Sequence, residues 1–431
     1  KELKGSKIVK ERKYPNTDIT ELELANGVKV LLQPTKFKEK EFWFTAKSPG
    51  GYSHVPLSVL RSVNNTGKIV SQSGFGKFTR SEINDLLSPA FISVTPSFSY
   101  SEELLSGKSI SAYQKELFEL IYLHFDEINY NKTSIDKLKT ELKEDLKLTN
   151  ADAKERFSRN FGNIFYQNHP RILNLTEQEI DQINLEDIKT FYADRFKDAS
   201  DFTFTFVGDF KIDEFKGLIQ KYLGSLPNKG RKEKYTDDGV RAEKEYLKYE
   251  VFENLENQSK NIRAYVKNFK NNIKNRFTIY ITEDILRRLL HEEIREKQNL
   301  VYSTSVSSFG ITKVPEEKYS IIIFFDANPA NKDKIFTEMD KVMNRIKTGD
   351  FPSHYLDEAL KAQLRRYELN KQSNRWLVTA ISDYYSDNEP LDKINSLDQI
   401  IKSVTKDDIT TFAKNTFDNK FIEASLMPKK Q

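Results

Sequence analysis

Ile183–Phe191 reads Ile-Asn-Leu-Glu-Asp-Ile-Lys-Thr-Phe, and Val404–Phe412, 221 residues later, reads Val-Thr-Lys-Asp-Asp-Ile-Thr-Thr-Phe. Each stretch is a helix start. Asn184 and Thr405 are side chains that cap an N-terminus, and Asp187 and Asp408 follow three residues on, as in a capping box. Phe196 and Phe417 keep the same offset. A period this long demands two similar folding units. The chain length of 431 residues agrees, because single cores stop growing at about 250–300 residues. Two unrelated capped helices would also look alike locally, so the order of elements around them decides.

That order repeats. In the first half, Leu22 and Leu24 alternate with glutamates, Asn26-Gly27 predicts a type I′ turn, and Val28 and Val30 alternate on the return strand. A strand through Phe42, Phe44 and Ala46 ends at Pro49-Gly50-Gly51, and a helix carries Leu57, Leu60 and Val63. Phe91–Phe98 alternates as a strand, and Leu117, Leu120, Ile121 and Ile128 space as one helix face. A charged helix follows through Ile135, Leu138, Leu142 and Leu146. After the capped helix, Phe202, Phe204 and Phe206 alternate with threonines, predicting a strand with one buried face. A last helix runs from Ile212 to Tyr222 and stops at Gly224. The second half gives strands at Tyr246–Phe252, Ile262–Val266, Val301–Val306 and Tyr319–Phe325. Its helices run from Thr282 to about Lys297, through Ile335–Ile346, and through Leu356, Leu360 and Leu364. The expected fold is α+β: two homologous domains, 1–227 and 244–431, each a mostly antiparallel sheet covered by helices on one face. The polar stretch 228–243, with its basic run Lys229–Lys234, is expected to be a solvated linker.

Few chemistries survive inspection. There is no cysteine, which removes disulfides, thiol catalysis and Cys-ligated metals. A catalytic zinc needs three protein ligands, usually built around two His on one helix face. The five His here are 54, 124, 169, 291 and 354, and no two fall within 30 residues. His291-Glu292-Glu293 has Arg at both 287 and 295, so its glutamates read as the solvated face of a charged helix. No Gly-x-Ser-x-Gly elbow or P-loop occurs; Gly74-Phe75-Gly76 reads as a tight turn and His169-Pro170 as extended loop. Net charge is +4 with signs well mixed, which gives no basis for a nucleic-acid partner. No apolar run approaches the ~18 residues of a membrane span. Residue 1 is Lys, so a processed precursor or a piece of a longer chain is expected.

Three segments carry a resemblance. Leu175–Pro227 contains Leu-Thr-Glu-Gln-Glu-Ile, Phe191-Tyr192-x-x-Arg195-Phe196, Asp201-Phe-Thr-Phe-Thr-Phe-Val-Gly-Asp209 and Tyr222-Leu-Gly-Ser-Leu-Pro227. Leu24–Ser53 contains Asn26-Gly-Val-Lys-Val and Ser48-Pro-Gly-Gly-Tyr-Ser53. The third is Ile294-Arg-Glu-Lys-Gln-Asn-Leu-Val-Tyr-Ser303. Together they resemble the pitrilysin/insulinase family of zinc metallopeptidases, especially its long bacterial members. Those proteins have four α+β domains in two halves of a clamshell. The N-terminal half holds the inverted His-x-x-Glu-His motif, which this sequence lacks. The Arg-Glu-Lys-x-x-Leu-x-Tyr stretch belongs to the family's fourth domain, so the resemblance places this chain as domains three and four.

The resemblance implies that Arg295 and Tyr302 reach toward substrate held at the zinc of the other half. A guanidinium and a phenol donate hydrogen bonds to a peptide carbonyl or its developing oxyanion. On residue type alone, Arg295 equally complements a helix C-terminus and Tyr302 packs on a sheet. The expected function is the non-catalytic C-terminal half of a zinc metalloendopeptidase, forming one bowl of a closed chamber for unfolded peptides. No catalytic residue or metal ligand is assigned to this chain, which is expected to be inactive alone. Zinc and the water-activating Glu belong to the N-terminal catalytic half, in the same gene or a separate chain. The alternative is a stand-alone inactive subunit or scaffold. A periplasmic setting is implied by the exported bacterial members, with cytoplasm as the alternative.

Overall fold

A computed structural model describes residues 2–88 and 91–429. They form two compact units, each assembled from separate stretches of chain. The first takes residues up to Lys143, then Leu175–Asp238 and Glu368–Ser396. The second takes Glu144–Asn174, Gly239–Tyr367 and the chain from Leu397.

The first unit is built on β1 (Ile8–Lys13), β2 (Thr20–Leu24), β3 (Lys29–Pro34), β4 (Glu41–Pro49), β6 (Ser93–Phe98), β7 (Glu102–Ile110) and β9 (Thr203–Gly208). Two-residue strands β5 (Gly74–Phe75) and β8 (Ile128–Asn129) pair separately. The large sheet runs β1-β2-β3-β9-β4-β7-β6, antiparallel except where β3 meets β9. The second unit has β10 (Leu247–Glu253), β11 (Ser259–Asn268), β12 (Val301–Thr312), β13 (Lys318–Ala327) and β14 (Ile422–Pro428), in the order β10-β14-β11-β13-β12. Its one parallel pair is β10 with β14. Thus β3-β9-β4-β7-β6 and β10-β14-β11-β13-β12 have the same order and senses. The repeat read from two helix starts extends to the whole sheet.

The caps behave as their side chains require. The Asn184 carboxamide oxygen accepts the Asp187 N–H at 2.9 Å, opening helix Leu185–Phe196. The Thr405 hydroxyl accepts the Asp408 N–H at 3.2 Å, and the Asp408 carboxylate accepts the Thr405 N–H, opening helix Lys406–Thr416. We expect Asn184→Ala and Thr405→Ala each to cost ~1 kcal/mol, read as a lower midpoint in thermal unfolding. Asn184→Ser should keep most of the stability.

Aromatic residues fill one face of the first sheet. Phe42 and Phe44 of β4 and Phe204 and Phe206 of β9 meet Phe118 of helix Gln114–His124 and Phe215 of helix Ile212–Tyr222. Phe118 stacks on Phe206 with centroids 5.2 Å apart, and Phe215 meets Phe42 edge-on at 5.2 Å. The other face is covered too, by helix Asn374–Ser386 from late in the chain. Asp383 pairs with Lys47 at 2.6 Å, and Arg375 lies over Trp43 at 5.6 Å. This is why Thr205, expected on an open face, is fully buried.

The second sheet is covered on both faces in the same manner. Helices Ile273–Leu290, Lys332–Thr348 and Lys406–Thr416 pack on one face. On the other, helix Ala153–Phe165 sets Phe157, Phe161 and Phe165, one per turn, against Ile262, Ala264, Val266, Ile422 and Leu426. Ala153 and Asn374 are 221 residues apart, and their caps Asp152 and Ser373 are as well. The equivalent helix of each half therefore packs in the unit built by the other half.

Local expectations are corrected in four places. The β2–β3 connection is a three-residue loop, with the Gly27 N–H donating to the Leu24 C=O at 2.8 Å and only Gly27 at positive φ, 85°. That is a type I turn closed by a glycine bulge, and Asn26 uses its side chain to reach the Leu223 C=O at 2.9 Å. Ile128 lies in β8, beyond its helix, and β6 begins at Ser93 rather than Phe91. The helix expected from Thr282 begins at Ile273, capped by Asn272.

Candidate functional site

Helix Ile273–Leu290 does not end cleanly. It widens into a π-helical turn, His291–Glu296, closed by the Lys297 N–H donating to the Glu292 C=O five residues back at 3.0 Å. Ile294, Leu300 and Val301 are buried and pin this turn to the core. Arg295 projects from it into solvent, with Nη1 3.4 Å from Nε2 of His291. The chain then enters β12, the outermost strand of its sheet. Pairing with β13 shifts between Val301 and Ser303, so Tyr302 is the extra residue of a β-bulge and stays 58% exposed. Both residues singled out in the sequence thus sit on backbone irregularities at one corner of the unit. Tyr302 does not pack into the core.

The acids beside them are occupied. Glu292 accepts the Tyr355 hydroxyl with both oxygens, and burial together with that carboxylate pushes the phenol up to about 12. Glu293 is shared by Lys297 at 2.7 Å and Arg345 at 2.6 Å, which hold its carboxyl below the usual range. The expected solvated glutamate face is instead a set of tertiary ties. Arg288 pairs with Glu358 and lies over the Tyr355 ring at 4.7 Å. A cleft of about 650 Å3 opens between this helix end and helix Ser353–Asn370. Among the described residues, no group of three or more His, Asp or Glu is placed to hold a metal ion.

A second concentration of charge lies in the first unit, around the basic run Lys229–Lys234 and Arg195. The segment from Asn228 to Asp238 has no helix or strand; its lysines are exposed, yet other side chains fasten it. The Arg231 guanidinium donates to the Asp194 and Arg195 carbonyls at 2.7 and 2.9 Å. Glu233 pairs with buried Arg195 at 2.5 Å, and the Thr236 N–H reaches the Ser53 hydroxyl at 2.9 Å. Beneath them Glu103 is fully buried. One of its oxygens accepts the Gly51 N–H at 2.8 Å; the other lies 4.0 Å from Arg195 and 3.7 Å from Arg231, bonded to neither. Burial outweighs the two cations and pushes this carboxyl up to about 7.

Residues 182–363, which include the π turn and the bulge, match the family model described as the peptidase M16 inactive domain. By that match the chain is similar to the M16 peptidases, on their inactive side. The pitrilysin/insulinase resemblance read from the motifs is borne out. Among curated relatives, the probable zinc protease PqqL of Haemophilus influenzae is 19% identical over 407 residues, covering 94% of this chain and 43% of that protein. The probable zinc protease PqqL of Escherichia coli is 22% identical over 411 residues, covering 92% and 42%. The chain therefore spans less than half the length of these curated relatives. The crystal structure of the periplasmic protease PqqL from E. coli matches with a TM-score of 0.88 at 20% identity, over 98% of this chain and 47% of that one. The first half of that protein, solved alone, matches with a TM-score of 0.74 at 13% identity, over 98% and 93%. The α+β fold is thus the M16 fold.

Proposed function

We propose that this chain is the non-catalytic C-terminal half of a bacterial zinc endopeptidase. It supplies the third and fourth family domains, forms one bowl of a closing chamber, and holds unfolded peptide against the zinc of its partner half. The observation that carries this reading is the family match to an inactive domain in a chain that spans under half of its zinc-protease relatives. The poorer fit to the first half of E. coli PqqL than to the whole protein supports the C-terminal assignment. The periplasmic setting of that relative supports the same compartment here.

Arg295 and Tyr302 are the residues assigned to substrate. Each is exposed, and π turns and edge bulges recur where a side chain must be re-aimed at a ligand. Their task is to donate to the scissile carbonyl as negative charge develops, while zinc and a partner Glu activate the water. Reconstitution tests the reading. Titrating this chain into the zinc-bearing N-terminal half should switch on cleavage of an unstructured fluorogenic peptide, saturating at one chain per half. A catalytic half that is fully active without this chain would sink the proposal.

A further inference from the structure

The outer edge of β12 is an unfinished hydrogen-bonding surface, and part of it is already closed. An Arg287 N–H donates to the Val306 C=O at 3.2 Å, and the Ser308 N–H donates to Glu283 at 2.8 Å. These groups point away from β13. Backbone groups alternate sides along a strand, and the β12–β13 register is unbroken from Ser303 to Phe309. The Thr304 N–H and C=O therefore point outward as well, and neither has a partner among the described residues. Thr304 also lines the 650 Å3 cleft.

Across that cleft, helix Ser353–Asn370 presents Ala359 and Ala362, whose small side chains leave the space, and then Arg366. The other two cleft arginines are neutralised, Arg287 by Glu283 and Asp284, and Arg288 by Glu358. Arg366 is exposed and has no carboxylate within ion-pair distance among the described residues. Four acids line the cleft: Asp284 and Glu292 are turned to Arg287, Gln363 and Tyr355, Glu358 to Arg288, and Glu296 lies 3.4 Å from His291.

We propose that the Thr304 edge of β12 and this cleft bind an extended peptide carrying an acidic side chain. The inference rests on the reading of the chain as the peptide-holding half. The peptide adds as a short outer strand, exchanging hydrogen bonds with Thr304. Its side chain on the helix-facing side enters the cleft, and the carboxylate pairs with the Arg366 guanidinium. Glu283 and Arg287 close the strand beyond Val306, so pairing is short and the acidic contact supplies selectivity.

The test uses the 431-residue chain and two labelled ten-residue peptides, identical except for a central Glu or Gln, followed by fluorescence anisotropy. The Glu peptide should bind about tenfold more tightly. Thr304→Pro deletes an outward N–H without removing a ladder bond, and should abolish binding of both peptides. Thr304→Val keeps the N–H and should bind as the parent does. Arg366→Ala should bring the Glu peptide down to the Gln value, and this arm decides the matter if the proline variant misfolds. Equal binding by Thr304→Pro and Thr304→Val, or no preference for Glu in the parent, would overturn the proposal. So would a chain dimer in sedimentation that Thr304→Pro dissociates, since a second copy would then occupy the edge. Peptide binding without activity on reconstitution would instead fault the proposed function and leave this site standing.

Discussion

Arg295→Ala, introduced into the reconstituted peptidase, should lower kcat/KM about 100-fold, the usual cost of deleting one donor to a developing oxyanion. The chain itself should remain as stable as the parent. Arg295 is exposed and its guanidinium lies beside His291, so its removal opens no cavity and strands no buried charge. Arg295→Lys should restore little, because an ammonium lacks the planar fork that addresses a carbonyl from a fixed direction. Tyr302→Phe deletes the second donor while keeping the ring at the bulge, and about a tenfold loss is expected. The split between kcat and KM is informative. A loss confined to KM would mean that Arg295 grips substrate and transition state alike. A change below about threefold in kcat/KM would return Arg295 to the role of complementing the end of its helix.

Glu103→Gln should make the protein more stable at pH 8 and leave it nearly unchanged at pH 4. The folded carboxyl titrates at about 7, above its ordinary value of 4.5, because burial disfavours the charge more than Arg195 and Arg231 favour it. Below 4.5 the group is protonated folded or unfolded and contributes no difference. As pH rises from 4.5 to 7, the unfolded chain gives up the proton that the folded chain still holds, and stability falls. Above 7 the full cost is present, at most ~3 kcal/mol for a shift of this size. Glutamine still accepts the Gly51 N–H and never ionises. The gain over the parent should therefore grow across pH 4.5–7 and then level off in urea-unfolding midpoints. A gain that does not vary across pH 4.5–7 would show that the fold does not raise the Glu103 carboxyl above its ordinary value.

Much of this architecture was legible because its signals are local. Caps at Asn184 and Thr405, the place though not the type of the Asn26-Gly27 turn, and the alternating phenylalanines of β9 depend on neighbours a few residues away. The reciprocal helix exchange was not legible. Phe157, Phe161 and Phe165 announce an apolar helix face, but nothing in their spacing says which sheet receives it. The same limit hid the burial of Thr205, which depends on a helix that arrives some 170 residues later. The helix start at Ile273 is not legible locally, because the isoleucines and aromatics of 273–281 favour strands, whereas Asn272 and burial against the second core make the segment helix. Arg295 and Tyr302 were reached through a motif rather than through physics. The π turn and the bulge that carry them depend on Ile294 and Val301 being drawn into the core three-dimensionally. The charges that fasten 228–238 looked like any solvated run until Arg231 and Glu233 were placed against Arg195 and Glu103.

The central claim is that the metal and the hydrolytic chemistry reside outside these 431 residues. The direct measurement is zinc content, by elemental analysis after dialysis against zinc and then against buffer, paired with a peptide-cleavage assay on the same sample. The account predicts no retained zinc and no cleavage by the isolated chain, with cleavage appearing when the zinc-bearing half is added. One zinc retained per chain together with peptide hydrolysis by the chain alone would contradict it.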